Sequence, residues 1–187
     1  MAAGDQAAAK LLIEGRPGSG KTTAAGRVVE LLRGAGVPVG GFLTRELRKG
    51  RGRVGFEIET LDGERAILAH VELDGPPRVG KYGVDLHAFE ELALPAISDP
   101  GERVLVIDEL GRMELASERF RDRVSDLFDR DLRLAATVHA HRHPFTDRLK
   151  RRADVELLRV TKRGRDSLPE EVADRLAPGR GRPGPSR

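Results

Sequence analysis

A glycine-rich segment between a short apolar run and an amphipathic stretch constrains the fold more than any other feature. Residues 15–22 have the sequence GRPGSGKT and fit the pattern G-x-x-x-x-G-K-[ST] at every fixed position. The preceding KLLIEG is typical of a buried strand, and residues 21–33 carry apolar side chains at helical spacing. Such a loop surrounds phosphate oxygens with backbone N–H groups at the positive end of a helix. We therefore predict a phosphate-binding loop, in which Lys21 reaches the β- and γ-phosphates and the Thr22 hydroxyl ligates Mg²⁺.

A second apolar run ends in two acidic residues. The segment RVLVID, residues 103–108, is typical of a strand buried on both faces of a parallel sheet, and Glu109 follows it. Ligands of open α/β sheets bind at the carboxyl ends of strands, so this Walker B pattern predicts that Asp108 holds the Mg²⁺ shell, directly or through water. A carboxylate one residue further on can orient and deprotonate an attacking water, which is the role predicted for Glu109. The alternative is that both acids only cap a strand before a turn.

The rest of the pattern predicts an α/β fold. Apolar runs alternate with amphipathic stretches, which is typical of a mainly parallel sheet with helices on both faces. Glycine and charged turns separate three strand-like segments within residues 39–70, which predicts antiparallel hairpins at an edge of the sheet or in an insertion. The further predicted strands are 132–139 and 155–160, and the further predicted helices are 85–98, 117–130, 144–152 and 167–176.

Length and composition bound the domain organisation. The chain has 187 residues, 39% of them apolar, which suits one domain with a buried core. We place this domain at residues 10–177, between a flexible N-terminus, 1–9, and a Pro/Gly/Arg-rich tail, 178–187, that we expect to be disordered. The absence of cysteine excludes disulfides, thiolate nucleophiles and Cys-bound zinc. No apolar run approaches the ~20 residues of a membrane helix, and no secretion signal is evident, so we expect a cytoplasmic monomer with no membrane partner.

The net charge indicates little about the folded domain. The chain has 33 Lys and Arg against 30 Asp and Glu, a formal charge of +3. The tail, residues 178–187, contains three arginines and no acidic residue, so the rest of the chain is balanced. A nucleic-acid-binding domain usually carries a basic patch on the fold itself. We therefore expect a nucleic-acid partner only through the tail.

Several segments, in this order and spacing, resemble one family. GRPGSGKTT, GGFLTREL, RVGFEIETL, VGKYGVD and VLVIDELGRMELASERFRD resemble the small Thep-type nucleoside-triphosphatases, the cancer-related nucleoside-triphosphatase family, over residues 10–166. The resemblance implies the three-layer P-loop NTPase fold, with antiparallel strands at the edge of the sheet. It also implies Mg²⁺-dependent hydrolysis of nucleoside 5′-triphosphates (ATP, GTP, CTP, UTP or TTP) to diphosphate and phosphate. The sequence departs from the family pattern in the segment HAHRH, residues 139–143, and at Gly164, where the family has Asn.

The resemblance assigns two nucleotide segments, residues 15–22 and 104–111. The predicted nucleotide-binding residues are Gly15, Arg16, Pro17, Gly18, Ser19, Gly20, Lys21, Thr22, Thr23, Val104, Leu105, Val106, Ile107, Asp108, Glu109, Leu110 and Gly111. Lys21, Asp108 and Glu109 are the predicted catalytic residues. Thr22 and Asp108 are the predicted ligands of Mg²⁺, the one cofactor expected.

Arginines at two places in the sequence, one after the acidic pair and two after the last predicted strand, are candidates for contact with the nucleotide. Arg112 follows the acidic pair, where it would contact phosphate or act as an arginine finger. Its alternative is an ion-paired surface side chain, for which Glu114 is a candidate partner. Glu114 could instead serve as a second carboxylate of the site. Arg163 and Arg165 follow the last predicted strand, where many P-loop proteins contact the base.

Alternating histidines end the strand 132–139. His139, His141 and His143 would share one face of an extended segment, so two of them could bind a metal ion. His139, at the strand end, could instead sense the γ-phosphate. A surface loop is the third interpretation.

Two other functions stay open at this point. A nucleotide or small-molecule kinase would share the phosphate loop but would need an acceptor pocket and exclusion of water. A nucleotide-switched module that binds RNA or protein would use the arginine-rich tail. The adjacent acids 108 and 109 favour hydrolysis, because a hydrolase needs a group that activates water.

Overall fold

The computed structural model describes residues 9–161 and 164–177, in which nine strands form one sheet with helices on both faces. The strands are β1 Lys10–Gly15, β2 Val39–Lys49, β3 Gly52–Thr60, β4 Arg65–His70, β5 Arg78–Val79, β6 Tyr82–Val84, β7 Val104–Leu110, β8 Leu134–His139 and β9 Val155–Arg159. The helices are α1 Lys21–Gly34, α2 Leu86–Ser98, α3 Glu118–Asp129, α4 Pro144–Lys150 and α5 Leu168–Leu176, and a short 3₁₀ turn spans Glu114–Ala116. The strand order is β5-β6-β4-β3-β2-β7-β8-β1-β9.

One half of the sheet is parallel. β1 pairs in parallel with β8 and β9, and β7 pairs in parallel with β8 and β2. Successive residues of β1 are buried in opposite layers, Leu11 on one face and Leu12 on the other. Strands covered on both faces need apolar side chains at nearly every position, which explains runs such as VLVI in β7. The predicted mainly parallel sheet between helices is confirmed.

The two faces of the sheet have different covers. Helices α1 and α5 pack on one face, where Val28 and Leu32 of α1 are buried. Helices α2, α3 and α4 belong to the core on the other face. There Phe42, Phe89 and Phe120 pack together, with ring centroids 5.0 to 5.9 Å apart. These aromatic rings fix α2 and α3 against β2, next to the strands that carry the acidic residues.

Helices α2, α3 and α5 begin one residue later than predicted, and in α2 and α3 the predicted first residue caps the helix with its side chain. The Asp85 carboxylate accepts a hydrogen bond from the Ala88 N–H at 2.9 Å, before α2. The Ser117 hydroxyl accepts one from the Phe120 N–H at 3.0 Å, before α3. Short oxygen-bearing side chains at this position satisfy N–H groups that the first helical turn leaves without partners.

Strand β2 joins the two halves of the sheet. Its first residues, Val39 to Phe42, pair in parallel with β7, and from Phe42 onward it pairs antiparallel with β3. The predicted hairpin segment, residues 39–70, therefore begins inside the sheet, and only β3 to β6 extend it outward. The sequence does not predict β5 and β6, because two and three residues are too few to show alternation. Tyr82 of β6 is held by packing on Phe56, with ring centroids 5.3 Å apart.

The chain ends and one loop position lie outside this description. The predicted flexible N-terminus, except Ala9, and the predicted tail, 178–187, are outside the described residues, as is Arg163. Among the helices of residues 9–161 and 164–177, none combines the length and apolar character that crossing a bilayer requires.

Gly41 controls the approach of β2 to β7 and gives a first prediction. Its φ is +108°, and a Cβ at this position would lie 2.1 Å from the carbonyl oxygen of Val106. We expect Gly41→Ala to lower the free energy of unfolding by about 3 kcal/mol, because the added methyl group combines backbone strain with separation of the two strands. Urea unfolding followed by circular dichroism measures the change.

Gly34→Ala is the matched control. Gly34 ends α1, and a Cβ built there meets no heavy atom within 4 Å. This substitution should leave stability unchanged or raise it by up to ~1 kcal/mol, because alanine favours helix. Equal effects of the two substitutions would contradict the assigned role of Gly41.

Candidate active site

The predicted site residues meet at the carboxyl edge of the parallel strands. Gly15, the last residue of β1, is in register with His139, the last residue of β8. The β7–β8 register shifts between Ile107 and Leu110, so Asp108 and Glu109 lie at an irregularity at this edge. The peptide bond between these two acids is cis. The edge therefore brings the phosphate loop and the acidic pair together, as expected of ligand sites in open α/β sheets.

The loop between β1 and α1 has the backbone that anion binding requires. Gly18 and Gly20 have φ of +74° and +97°, a region that side chains other than glycine rarely adopt. A Cβ on Gly15 would lie 2.3 Å from the Ser19 Oγ, so glycine is also needed where the loop folds over the strand end. No side chain caps α1, and its first turn carries no acidic residue. The N–H groups at this helix start are thus available to an anion.

Two polar side chains complete the loop. Lys21 is 6% exposed, and its Nζ donates to the carbonyl oxygens of Gly15 at 3.2 Å and Arg16 at 3.4 Å. The Ser19 Oγ is buried and has no hydrogen-bond partner among the described residues. A buried hydroxyl without a partner is costly, and a phosphate oxygen would provide that partner.

Asp108 is fully buried among hydroxyl groups. Its Oδ1 accepts a hydrogen bond from the Thr137 hydroxyl at 2.5 Å, and its Oδ2 lies 3.5 Å from the Thr44 backbone nitrogen. Burial raises the pKa of Asp108 to about 6, against the opposing effects of the Thr137 and Thr22 hydroxyls. No cation pairs with this carboxylate among the described residues. Asp108 and Thr22 together form a hard oxygen donor pair, the type that Mg²⁺ prefers.

Glu109 has the opposite surroundings. Its Oε1 lies 2.6 Å from the Nε2 of His139, and its Oε2 lies 3.4 Å from the Nζ of Lys21. Burial opposes its ionisation, but the hydrogen bond with His139 and the charge of Lys21 outweigh burial and lower the pKa of Glu109. Glu109 is therefore an ionised carboxylate at neutral pH, held next to the lysine of the phosphate loop.

A third carboxyl group, that of Glu114, lies behind this pair. Glu114 is 3% exposed, and the Thr44 hydroxyl is 3.5 Å from its Oε1. Burial, with the charges of Glu109 and Asp108, raises the pKa of Glu114 to about 8. The predicted pairing of Glu114 with Arg112 is wrong: no ion pair joins them in the described chain, and Arg112 is exposed. The 3₁₀ turn after β7 directs Glu114 inward, which explains the difference.

Two of the other predictions, the phosphate contact of Arg112 and the metal site of the alternating histidines, are not supported by the structure. Arg112 is exposed, without an ion pair among the described residues. The hypothesis that His139, His141 and His143 bind a metal ion is not supported. Among the described residues, no cluster of three or more histidine or acidic side chains could hold one. Instead, the Nδ1 of His143 accepts a hydrogen bond from the Phe145 N–H at 3.3 Å and caps α4.

Arg165 lies on the far side of the loop. It is exposed and within 3.5 Å of Asp166, and it lines a cavity of about 390 Å³ together with Arg16, Pro17 and Thr161. This cavity adjoins the phosphate loop, since residues 15–19 belong to its lining.

The residues of β7 predicted to bind nucleotide contribute to the site only indirectly. Their side chains are at most 1% exposed and belong to the core, so they position the acidic pair and do not face a ligand; they are Val104, Leu105, Val106, Ile107 and Leu110. Only the end of the strand reaches the site. A Cβ on Gly111 would lie 2.8 Å from Glu109 and 2.7 Å from Glu114, so this glycine leaves room for both carboxyl groups.

Thr44 and Thr137 are the residues beside the acidic pair that the sequence interpretation missed. Thr137 contacts Asp108 as described, and the Thr44 hydroxyl donates to the Asp108 carbonyl oxygen at 2.6 Å. Each threonine is a polar residue near the carboxyl end of an otherwise apolar strand segment, GGFLT and LAATV. A buried polar residue at that position is a signal that could have identified both.

The chain is similar to known proteins over most of its length. The model of the NTPase family matches residues 10–173. The chain is 41% identical to the nucleoside-triphosphatase THEP1 of Thermotoga maritima over 174 residues, covering 92% of this chain and 98% of the relative. It is similar to the crystal structure of THEP1 from Aquifex aeolicus, with a TM-score of 0.80, 33% identity, and coverage of 89% and 98%. It is also similar to the solution structure of a human cancer-related nucleoside triphosphatase, with a TM-score of 0.80, 38% identity, and coverage of 93% and 100%.

The buried Glu114 carboxyl group predicts a pH-dependent stability. Its folded-state pKa of about 8 lies above the ordinary 4.5, so between these values the unfolded chain releases a proton that the folded chain keeps. The contribution of Glu114 is thus fully present at low pH, and stability falls by up to about 1.4 kcal/mol per pH unit as pH rises toward 8. Glu114→Gln removes this dependence, so the variant should gain on wild type as pH rises.

Urea unfolding of the metal-free proteins from about pH 5 to about pH 8.5 tests this expectation. The buried Asp108 is common to both proteins, so its own titration contributes to both curves. Glu118→Gln, which removes an exposed acid of α3, is the control and should follow wild type. Parallel curves for wild type and Glu114→Gln would contradict a buried, protonated Glu114.

Proposed function

The chain belongs to the NTPase family, and on this premise we propose that it hydrolyses nucleoside 5′-triphosphates to diphosphate and phosphate, with Mg²⁺ and with water activated by Glu109. One observation carries the proposal: the ionised Glu109 carboxylate lies 3.4 Å from the Nζ of Lys21, within the reach of a phosphate-binding loop. A general base in this position is adjacent to where the terminal phosphate would be attacked.

The phosphate loop supplies charge stabilisation. Negative charge builds on the β–γ bridging oxygen and the γ-phosphate oxygens during phosphoryl transfer. The donors available for that charge are the uncapped N–H groups at the start of α1, the Lys21 ammonium and the unpartnered Ser19 hydroxyl. Because they are held by the fold, they stabilise the charge without reorganising at the moment of reaction.

Glu109 acts on the attacking water. Its carboxylate is ionised, and it would orient the water in line with the bond to the leaving diphosphate and take its proton. The proton then resides on the Glu109 carboxyl group, and the hydroxide oxygen forms the new bond to phosphorus as the bridging bond breaks. A kinase would need to exclude water from this position, and the placement of Glu109 favours hydrolysis over transfer to an acceptor.

Thr22 and Asp108 would hold the Mg²⁺ ion. The fit is chemical: a hydroxyl and a buried carboxylate form an oxygen donor set next to the loop, and no cation among residues 9–161 and 164–177 pairs with Asp108. When bound, Mg²⁺ neutralises charge on the β- and γ-phosphates. The Thr137 hydroxyl and Thr44 N–H keep the Asp108 carboxylate in place for that role.

The cavity beside the loop suits a base without selecting one. Its lining residues include Arg16 and Arg165 and the apolar Pro17, Ala140 and Val160. Guanidinium planes and apolar side chains stack on any base, whereas discrimination requires side chains that hydrogen-bond to base edges. We propose broad base tolerance on this ground.

Phosphate release across ATP, GTP, CTP, UTP and one deoxynucleotide tests the function. Wild type should release phosphate from all of them in the presence of Mg²⁺. Glu109→Gln should lower kcat by about 10²- to 10⁴-fold, because the isosteric amide cannot take a proton. Lys21→Ala should abolish release and weaken nucleotide binding, and Glu118→Gln should match wild type.

Two outcomes would contradict the proposal. Glu109→Gln with wild-type release would remove the assigned base. Tight binding of nucleotide by wild type without release, with phosphate transfer when acceptors are added, would indicate a kinase.

Metal removal gives a separate test. Excess chelator should abolish release, and added Mg²⁺ should restore it. Asp108→Asn should raise the Mg²⁺ concentration at half-maximal rate by at least about tenfold, because the amide is a weaker ligand than the carboxylate. Release that persists without divalent cations, or an unchanged Mg²⁺ dependence in Asp108→Asn, would contradict this assignment.

A further inference from the structure

We propose that His139 is the positioning residue of the catalytic carboxylate: its imidazole holds Glu109 in the orientation from which it activates water. This inference rests on the proposed function, in which Glu109 is the general base. Neither the phosphate loop nor the Mg²⁺ ligands assign a role to His139, which ends β8 in the segment HAHRH.

The contact between the two side chains is short, with His139 as the hydrogen-bond donor and Glu109 as the acceptor. The Nε2 of His139 lies 2.6 Å from the Oε1 of Glu109, and His139 is 25% exposed. An ionised carboxylate only accepts hydrogen bonds, so the Nε2 of His139 carries the proton and donates it. A charge-assisted hydrogen bond of this length restrains the plane of the carboxylate and leaves lone pairs on Oε2 for water.

The imidazole has no competing polar partner among the described residues. The Nδ1 of His139 is buried and makes no hydrogen bond there, so Glu109 is the ring's one hydrogen-bond partner. Lys21, which also contacts Glu109, is shared: its Nζ donates to two carbonyl oxygens of the phosphate loop as well. The orientation of Glu109 therefore depends on His139 when Lys21 binds phosphate.

The main chain at His139 is fixed from two sides. The Lys150 Nζ donates to the His139 carbonyl oxygen at 2.7 Å and to the Glu14 Oε1 at 2.8 Å. The Ala140 N–H donates to the Gly15 carbonyl oxygen at 3.2 Å, which ties the residue after His139 to the start of the phosphate loop. A ring mounted on this anchored strand end can place a carboxylate more accurately than a loop side chain would.

Substitutions at position 139 separate positioning from packing. His139→Gln keeps an N–H donor near the position of Nε2, whereas His139→Asn keeps a polar amide that is too short to reach Glu109. We expect His139→Asn and His139→Ala to lower kcat by about tenfold to a hundredfold, with KM unchanged within about twofold, and His139→Gln to recover most of the loss. His141→Ala, an exposed histidine of the same segment, is the control and should match wild type.

A double-mutant cycle tests whether His139 acts through Glu109. If it does, the double variant Glu109→Gln with His139→Ala should be no slower than Glu109→Gln alone. Multiplicative losses in the cycle would overturn the proposal, as would wild-type kcat in His139→Asn. A rise in KM with unchanged kcat would also overturn it and would make His139 a nucleotide contact instead.

The same set of proteins distinguishes the two hypotheses. Glu109→Gln with wild-type release refutes the general-base assignment, and this inference with it. A slow Glu109→Gln beside a fully active His139→Asn refutes only the positioning role and leaves the proposed function intact. Thermal unfolding of each variant verifies that kcat is compared among folded proteins.

Discussion

The burial of three carboxyl groups at the end of one apolar strand is the constraint on which the site depends. Asp108, Glu109 and Glu114 lie on or just after β7, whose preceding residues are buried on both faces of the sheet. A charge in such surroundings is stable only with hydrogen-bond donors or an opposite charge. The neighbouring strands and the phosphate loop provide these partners unequally, and the inequality gives each carboxyl group a different chemistry.

His139 and Lys21 lie beside Glu109, and they keep this carboxylate ionised. Among the described residues, Glu114 has no neighbouring donor or cation of comparable strength. Burial therefore raises the pKa of Glu114 to about 8, and it keeps its proton. Asp108 is intermediate, because hydroxyl groups partly offset its burial and its pKa is about 6. Environments that separate the pKa values of neighbouring acids are how one fold assigns distinct acid and base roles. In this arrangement an ionised carboxylate, a carboxyl group surrounded by hydroxyls and a neutral carboxyl group lie side by side.

The sequence predicts those parts of the site that depend on local spacing. Motif spacing and short hydrophobic periods predict the strand, loop and helix from Lys10 to Gly34 and the apolar strand before Asp108. The bounds of these elements in the structure agree closely with the predicted ones. Thr44 and Thr137 reach Asp108 only through the β2–β7 and β7–β8 pairings, which join residues distant in sequence. Periodicity cannot identify such partners, because it reports which face a residue occupies and not which strand lies beside it.

One ion network connects the cavity proposed for the base with the pair proposed to activate water. Glu14 lines the cavity proposed for the base and pairs with Arg159 at 3.0 Å and with Lys150 at 2.8 Å. Lys150 in turn holds the carbonyl oxygen of His139, next to Glu109. The cavity proposed for the base and the pair proposed to activate water are therefore both anchored at the ends of β1, β8 and β9. Charge-assisted contacts in partly buried networks hold geometry more tightly than exposed contacts do. The sheet therefore sets the distance between the cavity beside Glu14 and the pair of Glu109 and His139.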